Sequence, residues 1–115
     1  MMEQGQTPGG TGRLQLLSRR WLHAYEQDSA TEMVFRPATY KFAPSRGRRG
    51  FELKSDGGLV DIGIGPVDRP QETHGTWSLE SEDTLLLFLG GAGQPSRVLK
   101  VLSVDRNRLI VQKPA

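Results

Sequence analysis

The stretch Arg49-Gly50-Phe51-Glu52-Leu53-Lys54-Ser55-Asp56-Gly57-Gly58-Leu59-Val60-Asp61-Ile62-Gly63-Ile64 decides the fold class. Two runs rich in apolar and β-branched residues, Arg49 to Lys54 and Leu59 to Ile64, flank Ser55-Asp56-Gly57-Gly58. An Asp-Gly pair supplies the positive φ angles that a tight antiparallel connection demands, so this segment reads as a β-hairpin.

Hairpins recur on the C-terminal side. Gly65-Pro66 and Arg69-Pro70 interrupt the pattern, His74 to Leu79 resumes it, and Ser81-Glu82-Asp83 turns the chain into Leu85 to Leu89. After Gly90-Gly91-Ala92-Gly93-Gln94-Pro95, a third hairpin is expected from Arg97 to Val104, the turn Asp105-Arg106-Asn107, and Leu109 to Gln112. The run Leu85 to Leu89 shows no polar alternation, so both of its faces need cover, either from the Leu14 to Leu17 segment or from a second copy in a homo-oligomer.

Toward the N-terminus, large residues alternate from Arg19 to Gln27, with Trp21, His23 and Tyr25 on one face and Leu22, Ala24 and Glu26 on the other. That period of two predicts a strand. Asp28-Ser29-Ala30 signals a turn, Glu32 to Arg36 a short strand, and Pro37 its end. Ala38 to Arg48 is the longest irregular segment. Leu14, Leu16 and Leu17 are spaced for one helical turn across a barrel end, and Met1 to Gly12, rich in glycine, reads as a loose tail before a single domain over residues 13–115.

The count comes to about eight short strands at sandwich or barrel spacing. The expected fold is mainly β: an antiparallel up-and-down meander curled into a barrel or half-barrel, with a short N-terminal helical turn. Closure is favoured because it removes exposed strand edges.

Composition narrows the function classes. With 115 residues, one core is the default. A net charge of +2 is too small for a dedicated nucleic-acid module, and the aromatics do not interleave with the basic residues. The absence of cysteine excludes thiolate catalysis and Cys-based metal sites. No apolar run is long enough to span a membrane or direct secretion, which leads to the expectation of a cytoplasmic protein.

The quoted pieces resemble the lipocalin-like (calycin) families of small bacterial barrels. Leu17-Ser18-Arg19-Arg20-Trp21 matches the tryptophan that follows a short helical turn, Gly75-Thr76-Trp77 matches the Gly-x-Trp of a middle strand, and Asp105 to Val111 matches the final hairpin. Arg19 stands where the family's first-strand glycine would be, and the family's arginine that packs on the tryptophan would here be Arg106 or Arg108. The resemblance implies an interior for a small apolar or amphipathic molecule and carries over no catalytic residue.

Candidate ligand-binding residues fall into two groups. Trp21, His23 and Tyr25 would give an inward face two aromatic walls and a titratable group, or else serve as ordinary core with a paired histidine. Arg36, Arg46, Arg48 and Arg49 concentrate charge that could hold a carboxylate, a phosphate or an RNA backbone, or else remain solvated and pair with Glu32, Glu52 or Asp61. Parity with Thr76 and Ser78 places His74 outside. The two histidines lack metal-ligand spacing, so no metal and no cofactor is expected. Gly63-Ile64-Gly65-Pro66 lacks the features of a phosphate loop and reads as a strand end.

The leading expectation is a binding protein for a small apolar or amphipathic ligand. One rival is a small-barrel isomerase or cyclase with His23 as acid or base and Tyr25 as donor. Another is a protein-interaction module using Leu85 to Leu89 and the Arg46 to Arg49 loop, with the interior filled.

Overall fold

A computed structural model describes residues 10–45, 47–64, 70–90 and 93–113. The chain forms helix α1 (Gly10–Leu17) and eight strands: β1 (Arg20–His23), β2 (Glu32–Pro37), β3 (Gly50–Leu53), β4 (Gly58–Ile64), β5 (Pro70–Glu80), β6 (Thr84–Phe88), β7 (Arg97–Val104) and β8 (Leu109–Gln112). They close into an eight-stranded barrel in which every neighbouring pair is antiparallel. This is the up-and-down barrel expected from the hairpin spacing, and it is closed.

Spatial and chain order differ at one place. β1 lies between β2 and β3, so the order around the barrel is β2-β1-β3-β4-β5-β6-β7-β8, returning to β2. β2 and β3 are both antiparallel to β1 and hence parallel to each other. Parallel strands cannot be joined by a tight turn. The irregular segment from Ala38 to Arg49 is therefore the crossing that the topology demands, running outside β1 from one barrel end to the other.

Alternation puts Trp21, Phe35, Phe51, Leu59, Trp77, Leu85, Leu87, Leu99, Val101, Leu109 and Val111 in one buried cluster that fills the barrel. Register joins them across strands, with Trp21 opposite both Pro37 and Phe51, and Trp77 opposite Leu87. Leu85 and Leu87 face this core, whereas Leu86 and Phe88 lie on the outer face, half-buried, beside Val98, which is 55% exposed.

Helix α1 closes one end. Leu17 is fully buried in the core, and the Trp21 indole Nε1–H donates to the Leu17 carbonyl at 3.0 Å. Arg13 donates to the Glu82 carbonyl in the β5–β6 turn, and Arg19 to the Arg106 carbonyl in the β7–β8 turn. The helix thus begins earlier than the expected single turn and includes Gly10 to Gly12; residues 1–9 of the expected tail lie outside the described residues. The guanidinium over the Trp21 ring is that of Arg19, 5.6 Å from the centroid, and not Arg106 or Arg108. Arg106 takes part only through its backbone carbonyl.

Candidate functional site

Among the described residues, no helix covers the end of the barrel opposite α1. There β1 finishes at His23, β3 is about to begin after Arg49, and β7 begins at Arg97. Parity aims these residues inward. His23 follows Trp21 by two, Arg49 precedes Phe51 by two, Asp61 pairs with Phe51, and Arg97 pairs with Leu87. With Phe35, these side chains line a recess of about 380 Å³ above the filled core.

The recess has an aromatic wall and an oriented histidine. The His23 ring stacks on Phe35 at 4.9 Å, and Phe35 lies 5.0 Å from Phe51. His23 Nε2 contacts both carboxylate oxygens of Asp28, at 2.9 and 3.1 Å. Asp28 Oδ1 also accepts the Val34 backbone N–H at 2.9 Å. Asp28 is thereby held as an acceptor, and in the neutral ring this contact places the proton on Nε2 and the lone pair on Nδ1. Among the described residues, Nδ1 has no protein partner.

Charge in the recess is unequally balanced. Arg97 pairs with Asp61 at 3.2 Å. Arg49 takes part in no ion pair among the described residues, while its backbone carbonyl accepts the His23 N–H at 2.8 Å. One guanidinium therefore faces a half-enclosed, partly apolar space without a carboxylate against it.

The other arginines serve the crossing strap. Arg48 donates to both oxygens of Glu26 at 2.8 and 2.7 Å, to the His23 carbonyl at 3.0 Å, and to the Ala43 carbonyl at 3.0 Å. It also packs on Tyr25 and Phe42, 4.9 and 4.5 Å from their ring centroids. The Arg48 hydrogen bonds hold the Glu26 carboxyl down at about 2, with the Glu26 backbone N–H contributing, and Glu26 in turn raises the Arg48 guanidinium above its usual range. Arg36 donates to Gln27 Oε1 at 3.0 Å and the Asn107 carbonyl at 3.1 Å and stacks on Tyr40, fixing the start of the strap.

Of the candidate ligand-binding residues, the fold brings His23 and Arg49 together. Trp21 lies sealed in the core below them. Arg36 and Arg48 are occupied outside the barrel, and Arg46 lies outside the described residues. Tyr25 does not continue the strand: β1 ends at His23, and a 3-10 turn, Tyr25–Gln27, carries it out to solvent, where its hydroxyl meets Ser45 at 3.0 Å. The expected ion-pair partners are also reassigned: Glu52 pairs with Arg20, Asp61 with Arg97, and the arginine loop uses Glu26.

Sequence reasoning missed Asp28, Asp61, Arg97 and Phe35 as site residues. Arg97 carried a usable signal, since it shares parity with buried Leu99 and Val101. His74 is exposed on the outer face, as parity predicts. Among the described residues, no three His, Asp or Glu side chains gather as metal ligands, and no helix is long and apolar enough to cross a membrane.

A shallower apolar groove of about 300 Å³ lies outside the barrel, where Leu22 and Ile62 of the wall face Phe42 and Ala43 of the strap. Its flanking guanidinium groups are already neutralised, Arg20 by Glu52 and Glu72 and Arg48 by Glu26. It offers contact area without an unpaired charge to orient a ligand. The mouth is for that reason the stronger candidate.

No protein-family model, curated protein or solved structure matches this chain.

Proposed function

We propose that this protein binds a small amphipathic carboxylate at the mouth of a lipocalin-like barrel. The observation that carries the reading is Arg49, a guanidinium without a carboxylate partner among the described residues, set beside the stacked His23 and Phe35 rings in a half-enclosed space. Guanidinium groups bind carboxylates through paired, charge-assisted N–H···O bonds, and an aromatic wall receives the apolar remainder of the molecule. Because core side chains fill the barrel below, the ligand sits at the mouth and not along the axis.

Benzoate is a suitable probe, with benzyl alcohol as its neutral counterpart. Backbone amide shifts on titration should move at His23, Gly50 and Asp61, and benzyl alcohol should bind more weakly. Arg49→Gln should weaken benzoate binding by about tenfold or more, in keeping with a lost charge-assisted hydrogen bond. Equal binding by the Arg49→Gln variant, or shifts confined to the strap, would sink the proposal.

A second reading, an interaction surface, draws on the exposed Val98 opposite half-buried Leu86 on the outer face. It expects self-association or capture of a protein partner that Val98→Glu abolishes while benzoate binding persists. Light scattering of both forms separates it from the first.

A further inference from the structure

We infer that the recess is also a site of proton transfer, in which His23 acts as a base on the carbon next to the carbonyl of a bound 2-oxo acid. This rests on the carboxylate-binding reading and extends it to an activity.

A ring that is merely core or merely solvated does not require both nitrogens to be differentiated, but here they are. Nε2 faces a carboxylate that Val34 holds as an acceptor, so Nδ1 is the basic nitrogen. Asp28 also stabilises the ring once Nδ1 gains a proton, since the cation then faces a carboxylate at 2.9 Å. Stacking on Phe35 fixes the plane of the ring.

The remaining groups of the recess suit an enolate. Arg49 supplies a cation for the substrate carboxylate, and Arg97, tethered by Asp61, supplies a second donor for a carbonyl oxygen that gains negative charge. None of these lining side chains bears a hydroxyl or thiol. Proton transfer needs only a base, a held carboxylate and a stabilised oxyanion.

The step balances without a co-reactant. Nδ1 takes a proton from C3, the C3–H electron pair becomes the C2–C3 double bond, and the C2–O π pair moves onto oxygen as an enolate. His23 then delivers the same proton to that oxygen, giving the enol, or returns it to C3. In deuterated water the proton held on Nδ1 exchanges with solvent, so C3 becomes labelled.

The test uses the full chain and phenylpyruvate in deuterated water, following loss of the C3 proton signal by NMR. Exchange should exceed the buffer rate, scale with protein concentration and be suppressed by benzoate. His23→Gln should lower the protein-dependent rate by about a hundredfold or more, the scale of a lost general base. Asp28 is a positioning residue, so Asp28→Asn should lower kcat while leaving KM and benzoate affinity near those of the parent. Arg49→Gln should act mainly on KM.

Equal exchange in the parent and His23→Gln proteins would overturn the inference, as would exchange that benzoate does not suppress. If benzoate binds at the mouth but exchange never exceeds the buffer rate, the activity fails and the binding proposal stands. If benzoate does not bind there, both fail. Should His23→Gln not fold, Asp28→Asn and benzoate competition on the parent decide the matter by the same criteria.

Discussion

Arg48 and Glu26 form a two-point ion pair across the strap, with N–O distances of 2.8 and 2.7 Å, in which the arginine side chain is only 6% exposed and the glutamate 40%. The same guanidinium bonds the His23 and Ala43 carbonyls and lies over Tyr25 and Phe42. One side chain thereby joins the end of β1, the 3-10 turn and the middle of the strap. Lysine cannot reproduce that fork of donors. Both Arg48→Lys and Arg48→Ala should loosen residues 38–49, and limited proteolysis there should quicken by about tenfold or more while the barrel's circular dichroism persists, as expected of local opening. Unchanged cleavage would show that the strap is held by something else.

The same pair predicts an acid response. The Glu26 carboxyl lies at about 2 in the folded protein, below its ordinary value of 4.5, chiefly because of the Arg48 hydrogen bonds. A carboxyl lowered on folding adds stability that is fully present above the ordinary value and is lost as pH falls through the folded one. Strap protection against hydrogen exchange should therefore hold at pH 5 and above and fade as the pH falls from 4.5 to about 2. Glu26→Gln should abolish this dependence and open the strap at neutral pH. A carboxyl carbon shift of Glu26 titrating in the ordinary range would contradict the assignment.

The hairpins were legible because their information is local. Asp56-Gly57, Ser81 to Asp83 and Asp105 to Asn107 sit where the chain turns, and Gly57 adopts φ +93° as the Asp-Gly signal requires. The placement of β1 between β2 and β3 was not legible, because the β1–β3 pairing joins Trp21 to Phe51 across an irregular strap. Tyr25 shows where residue alternation misleads: the pattern of large and small side chains continues past Ala24, but the backbone there leaves the strand at φ −88°, ψ 69°. His23 and Arg49 were found by residue type, whereas their neighbours required the register. Asp61 reaches the mouth because it faces Phe51, and Asp28 because a turn folds it back on His23.

Gly75 tests whether close strand packing, and not turn geometry, fixes a glycine. A Cβ built on Gly75 would collide with the Phe88 backbone carbonyl oxygen on β6, which cannot swing aside as a side chain would. Gly75→Ala should destabilise the barrel by about 1–3 kcal/mol, the range for overpacking at a fixed site. Urea unfolding measures this directly, and a change below about 0.5 kcal/mol, the size of ordinary surface effects, would show that β5 and β6 can separate at no cost.

Glu82 presents the opposite case. In the β5–β6 turn, Ser81 and Glu82 have φ angles of 55° and 68°, values that side chains with a Cβ adopt at a cost. Glu82 is exposed, and its side chain forms no ion pair among the described residues; what the structure uses is its carbonyl, which accepts from Arg13. Glycine retains that carbonyl and removes the steric penalty, although it also raises the entropy of the unfolded chain. The relief of about 1 kcal/mol or more for a left-handed residue exceeds the added entropy cost. Glu82→Gly should therefore raise the urea midpoint with the slope of the transition unchanged, and it should do so equally in a background lacking Arg13. A lowered midpoint in both backgrounds would mean that the Glu82 side chain contributes more to the turn than its backbone conformation costs.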